Sequence, residues 1–360
     1  MISIFAMLNL VRRPESALRL MALINSLFFA SFLAVLLLAS SKADAQEIVC
    51  KGENLVAAMQ RDDPAGYAKL EAEATAIVNS EARLWKIEKD GLKPSFLFGT
   101  MHLTDPRVID LTPEAKAAFD GAGTVVIEST DILDEKKAAM AMLSQPGMIM
   151  FTDQTTLTSL LSKDEAEKLN KGLTARGIPL ITVNKMRPWM ISAMIVLPAC
   201  EQRRKKAGAP FLDIKLARDA EAVGKKIDGL ETIAEQLNAM NSVPMDLQMK
   251  SLVETVALGA KMDDIMETMI ALYAEGRAGL IMPFLKSLSA EGMSSMDEQS
   301  YGKFEEIMVN TRNTVMSERA EMILGEGNAF IAVGALHLPG EKGLVELFRS
   351  AGYTVTALAK

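Results

Sequence analysis

Two stretches far apart in the chain repeat one another, and this repetition limits the possible folds more than any other feature. The first is an extended apolar segment that enters Gly99-Thr100-Met101-His102-Leu103, followed by a helix-forming stretch, Ala122-Gly123 and a short apolar run over 124–127. The second passes from residues 329–333 into Gly334-Ala335-Leu336-His337-Leu338, then through 341–350 to Ala351-Gly352 and a last run over 353–358. A strand, a crossover helix and a second strand in each copy predict two βαβ units, whose strands lie parallel in one sheet. Both histidines then emerge at the carboxyl edge of that sheet, where open α/β sheets bind ligands. Glu128 and Glu231 also follow short strands, so four chemically capable side chains are expected along one rim.

The chain has only two histidines, and each stands three residues after a glycine. With 23 glycines in 360 residues, random placement would give that match about (23/360)², or 0.4%, of the time. Glycine permits backbone conformations and close approaches that a Cβ forbids, and so fixes where the next side chains point. Two imidazoles and a carboxylate suit Zn, Mn, Co or Fe, while the absence of spare thiolates argues against a soft cysteine site. The spacing is not HExxH, and no GxSxG, GxxxxGK[ST] or CxxC occurs. Gly325-Glu326-Gly327 follows a helix and precedes a strand, the reverse of the order a dinucleotide loop requires; it reads as a helix stop at Gly325 and a turn.

The first 45 residues differ in kind from the rest. Arg12, Arg13 and Arg19 precede an apolar run over 20–39, and Ala43-Asp44-Ala45 offers small residues where signal peptidase reads. A secretory signal over 1–45, cleaved after Ala45, is expected, with an uncleaved membrane anchor as the alternative. Either way the arginines stay on the cytoplasmic side and residues 46–360 form a single domain delivered to the periplasm or the medium. Cys50 and Cys200, the only cysteines, favour one disulfide in such a compartment, free buried thiols being the alternative. The net charge of −7, with no basic stripe or interleaved aromatic run, leaves no case for nucleic acid.

Period-two alternation predicts a hairpin over 84–98 turning at Asp90-Gly91. Thr112-Pro113 opens a helix, as does the capping pair of Ser162 and Glu165. Residues 212–223 read as a helix, 226–229 as a strand, and about 341–350 as a helix. The stretch 233–324 carries no strand signal and holds twelve methionines. These read as core packing, or as an adaptable groove for a hydrophobic or peptide substrate.

Together, Leu84-Trp85, Ser95 through His102 with Asp105-Pro106, Glu128-Ser129, Arg187-Pro188-Trp189, Gly229-Leu230-Glu231-Thr232 with Gln236, Arg312-Asn313 with Met316, and Gly334 through His337 resemble the TraB/GumN family. That family is similar to the animal Tiki proteases and more distantly to the erythromycin-esterase and ChaN-like group. The resemblance covers residues 50–358. It implies an α/β fold, with helices on a central mixed or parallel sheet and a large helical insertion, and a divalent-metal-dependent hydrolase using Mn, Co or Zn, proteolytic in the Tiki branch. By the same resemblance His102 and His337 are the motif histidines and Glu128 the motif carboxylate, the three expected metal ligands. Glu231 and Arg312 match further family positions. The expected mechanism is metal-assisted hydrolysis of a peptide or small molecule, with Glu231 as general base and Arg312 stabilising the oxyanion. Two readings stand beside it: metal-free ester or amide cleavage with His102 as a base oriented by Glu128, and a binding protein that uses the histidines for haem or another ligand. Membrane contact is expected only through an uncleaved N-terminal segment.

Overall fold

The computed structural model describes residues 48–290 and 296–359. The expected signal over 1–45 lies outside them. Six strands, β1 (Leu84–Glu88), β2 (Ser95–Thr100), β3 (Thr124–Ile127), β4 (Lys226–Gly229), β5 (Ala329–Gly334) and β6 (Thr354–Ala359), form one sheet in the order β4-β3-β5-β2-β1-β6. The four neighbours β4, β3, β5 and β2 are mutually parallel. β1 is antiparallel to both β2 and β6. The fold is thus α/β with a mixed sheet, and the β1–β2 hairpin turns through Gly91 at φ +80°.

Alternation along β5 explains why the sheet is covered on both sides. Phe330 and Ala332 join one core cluster with Val125, Ile127 and Phe98, while Ile331 and Val333 join a second with Val126, Leu97 and Trp85. Strands buried on both faces read as continuous apolar runs, which is how residues 329–333 appear in the sequence. A third cluster, with Leu169, Leu173, Ile191 and Leu252, lies among helices of the β3–β4 and β4–β5 connections.

Several helix starts follow their capping residues. Thr112 accepts from Ala115 N, and Ser162 and Glu165 form a reciprocal box. Two boundaries differ from expectation. The helix Thr311–Glu326 runs through Gly325 and stops at Gly327, whose φ of +69° turns the chain out and lets its N–H bond Leu324 O. The last helix, Leu344–Ser350, begins three residues later than 341, because a turn at Gly340 (φ +93°), closed by Gly343 N–H to Gly340 O, intervenes.

Cys50 and Cys200 are joined by a disulfide, which ties the chain ahead of the helix Leu55–Asp62 to the helix Ala199–Lys206. Among the described residues, no helix is long and apolar enough to cross a membrane.

Candidate active site

Parallel strands end at one edge, so the residues just beyond β4, β3, β5 and β2 become neighbours in that order: Glu231, Glu128, His337 and His102. Thr100 at the end of β2 is in register with Gly334 at the end of β5, which sets the two histidine loops side by side. Arg312 reaches the same edge by a different route. A helix that precedes a parallel strand runs back over the sheet, so its N-terminus lies at the strands' carboxyl end; Arg312 is the second residue of the helix entering β5. A π-helical segment, Glu306–Asn310, leads into it, a local irregularity common at functional sites.

Arg312 is the hub. Its Nε and Nη2 donate to both oxygens of Glu231 at 2.6–3.2 Å, Nη2 also donates to Glu128 Oε2 at 2.7 Å, and Nη1 donates to Met308 O at 3.1 Å. That leaves one of the five guanidinium N–H bonds without a described partner. Gln236, in the first turn of the helix Ile233–Ser242, donates from Nε2 to Glu128 Oε2 and Glu231 Oε2. Glu128 Oε1 accepts the Gly334 N–H at 2.7 Å. Burial alone would raise the Glu128 carboxyl, but the positive charge available on His337, His102 and Arg312, with the Gly334 N–H, holds it down to about 2.

His337 is buried, and its Nδ1 lies 2.6 Å from Asn313 Oδ1. The Asn313 amide nitrogen already donates to His337 O and Lys342 O. Its oxygen must therefore accept, so Nδ1 carries the proton and Nε2 is left with a lone pair. That Nε2 stands 3.8 Å from Glu128 Oε1. Burial depresses the His337 pKa to about 4 despite the neighbouring carboxylate. A neutral imidazole nitrogen and an ionised oxygen thus face each other with no hydrogen to share, an arrangement that a cation completes.

His102 differs from His337 in its surroundings. Its side chain is 55% exposed, and its Nε2 lies 3.6 Å from Asp213 Oδ1. Desolvation in the cleft disfavours the charged ring, but Asp213, helped by Glu128, outweighs it and raises the pKa to about 9. Asp213 itself is buried, accepts from Thr100 Oγ1 at 3.0 Å, and has no described partner on Oδ2. All five expected site residues therefore share one rim, but His102, Glu128 and His337 do not bring their ligand atoms together into one closed group. They form two pairs, His337 with Glu128 and His102 with Asp213.

Asp213 and the role of Asn313 were not singled out in the sequence reading. An Asp in the first turn of a helix is ordinarily a complement to the helix dipole. Its signal was topological: the helix Leu212–Ala222 feeds β4 and so starts at the same edge. Elsewhere, Cys50, Asp105 and Glu201 meet closely enough to suggest a metal group. There the sulfur is consumed in the disulfide, Asp105 holds Arg107 and Arg204, and Glu201 holds Arg204 and the Thr104 N–H. That chemistry is an ion-pair network, not a ligand set.

A mixed α/β sheet gathers carboxylates, imidazoles and a guanidinium at the ends of four parallel strands, the edge at which open α/β sheets bind ligands. A model described as the TraB/PrgY/gumN family matches residues 83–357, and the chain belongs to that family. It is similar to metalloprotease TIKI2 of Danio rerio, 26% identical over 76% of this chain and 60% of the relative. Metalloprotease TIKI1 of Homo sapiens is 25% identical over 76% and 61%, and the metalloprotease TIKI homolog of Amphimedon queenslandica 26% over 77% and 61%. The chain spans about three fifths of the length of these relatives. No solved structure matches it significantly.

Proposed function

We propose that the chain is an extracytoplasmic, metal-dependent hydrolase of peptide bonds, acting at the rim of Glu231, Glu128, His337 and His102. One observation carries the reading: His337 Nε2, with its lone pair free, faces the ionised Glu128 Oε1 at 3.8 Å. A proton or a cation would satisfy both atoms, and burial keeps the proton off His337 near neutral pH. One carboxylate with imidazoles suits Mn, Co or Zn. His102, Glu128 and His337 would hold the ion, with Asn313 and Asp213 orienting the two rings. Such an ion would lower the pKa of a water enough for hydroxide to form near neutral pH, and would polarise the carbonyl it attacks. The relatives' names, metalloproteases, agree with this chemistry. The disulfide and the N-terminal leader agree with export.

The chain's own residues do the rest. Arg312 compensates the charges of Glu128 and Glu231 and keeps one N–H for a developing oxyanion. Both Glu231 oxygens are engaged by Arg312 and Gln236, so Glu231 serves by holding the guanidinium rather than as the expected base. In the metal-free reading, the residue that orients His102 is Asp213, not Glu128. A ring protonated up to about pH 9 is a poor base at neutrality, and to hold an ion it must give up that proton, so metal binding at His102 would release one.

Protein stripped with chelator, reloaded with Mn, Co or Zn and analysed by mass spectrometry is expected to retain the ion stoichiometrically. Affinity should fall at least 100-fold in His337→Ala and Glu128→Gln, more than the roughly 10- to 100-fold that loss of a residue orienting a ligand costs. A wild-type chain that takes up no divalent ion under any loading condition overturns the proposal.

A further inference from the structure

Helices from the β3–β4 and β4–β5 connections line a half-open cleft of about 500 Å³ beside the rim, walled chiefly by Pro188–Ile195, Met245–Leu258 and Lys261–Ala274. Its volume is that of a ligand pocket rather than of a packing defect. Seven of its twenty-three lining residues are methionines, and Glu254 is the only charged one. Thioether side chains are flexible and polarisable, so such a wall adapts to apolar groups of different shape.

Two lining residues have polar atoms without a described partner: Ser192 Oγ and Gln248 Oε1. Gln248 is only 4% exposed. Its Nε2 donates to Val243 O at 2.7 Å, which fixes the amide and leaves the oxygen as an acceptor. Unpaired buried acceptors are costly, so an occupant that brings a donor is favoured over one that does not. An acceptor on one helix and a hydroxyl on the helix packed against it match the N–H and C=O of a peptide bond. A bare alkyl chain offers neither.

The cavity begins one helical turn from the rim. Gln236, which holds Glu128 and Glu231, and Met240, which lines the cavity, are four residues apart on one helix and share a face. Arg312 and Met308 repeat the relation across the π-helical segment, where Arg312 Nη1 grips Met308 O. Each helix therefore gives a polar group to the rim and a thioether to the cavity.

We infer that this cavity is the specificity pocket for the peptide substrate: it takes bulky apolar side chains flanking the scissile bond, with one backbone amide on Ser192 and Gln248. The inference rests on the hydrolase reading of the rim, but its binding step requires neither metal nor turnover. Trp189 lines the cavity and Trp85 is the only other tryptophan, so Trp85→Phe protein reports on the cavity by fluorescence. Metal-free protein would be titrated with acetyl-leucyl-phenylalanyl-leucine amide, with the acetyl-seryl-glycyl-serine analogue, and with dodecanoate. The apolar peptide is expected to shift Trp189 emission saturably and the polar one at least tenfold more weakly. Gln248→Leu and Ala193→Phe should each weaken the apolar peptide at least tenfold; Ala193 is an exposed lining residue, so its replacement spares the core. Equal affinity for the two peptides, no saturable shift, or binding of dodecanoate without the apolar peptide each overturns the inference. Binding that persists in a protein without peptidase turnover removes the hydrolase reading and leaves the pocket standing.

Discussion

At Gly334 an added Cβ would stand 3.1 Å from Glu128 Oε1 and 3.4 Å from His337 Cδ2. At Gly99 it would meet Ala335 Cα and Cβ at 3.0 Å. Neither glycine has a positive φ, so both are needed for space: the histidine loops press against each other and against Glu128. Gly334→Ala is expected to displace the carboxylate, lowering divalent-ion affinity about tenfold by calorimetry at a cost of about 1–3 kcal/mol in stability. The two imidazoles make opposite predictions about pH. Nitrogen-detected NMR of metal-free protein, with two histidine signals assigned through His102→Ala, should show His337 neutral down to about pH 4 and His102 charged up to about pH 9. Coincident titration of both near 6.5 contradicts the site's electrostatics. Because the unfolded His337 binds its proton near 6.5 and the folded one near 4, the unfolded state takes up more protons in that window. The His337 contribution, on the order of 3 kcal/mol, is therefore present above 6.5 and lost as pH falls through 4. His102 acts in the opposite sense: its contribution is present below 6.5 and fades as pH rises through about 9.

Among the elements, those announced by local chemistry were legible in the sequence. The β1–β2 hairpin declares itself by alternation and Asp90-Gly91, and β3 and β5 by apolar runs that end at Glu128 and Gly334. The carboxyl-edge placement of the two histidines and two glutamates follows from crossover topology alone. What needed coordinates was every relation made by packing. Asp213 reaches His102 because the helix Leu212–Ala222 starts at the rim, and Asn313 fixes the His337 tautomer because one helix lies over one loop; spacing encodes neither. The helix end moved from Gly325 to Gly327 because two glycines competed and only the second takes a left-handed φ. Breaking Asn313 tests such a packed relation. Asn313→Ala leaves a buried imidazole N–H unpaired and is expected to cost about 1–3 kcal/mol in denaturant unfolding, with loss of the separate His337 titration. The disulfide belongs to the same scale. It closes a separation of 150 residues, and Cys50→Ser with Cys200→Ser should lower unfolding free energy by about 2–5 kcal/mol.

In the molecule as a whole, a sheet covered on both faces holds one rim rigid, and helices of the β3–β4 and β4–β5 connections set an apolar wall beside it. Rigidity at the rim matters because Glu128 must remain an ionised, buried carboxylate while Arg312 and Gln236 bind one of its oxygens and leave the other to face His337. Replacing Arg312 by Lys keeps the charge but loses the planar fork that grips both glutamates, so turnover should fall at least tenfold while the circular dichroism spectrum stays unchanged. The central claim is that peptide hydrolysis depends on a divalent ion held at this rim. A fluorogenic peptide panel run on metal-loaded protein, after chelation, and after restoring Mn, Co or Zn tests it most directly. The predicted result is cleavage that chelation abolishes and metal restores, and that is absent from Glu128→Gln and His337→Ala at metal concentrations that just saturate the wild type. Equal cleavage with and without chelator contradicts it.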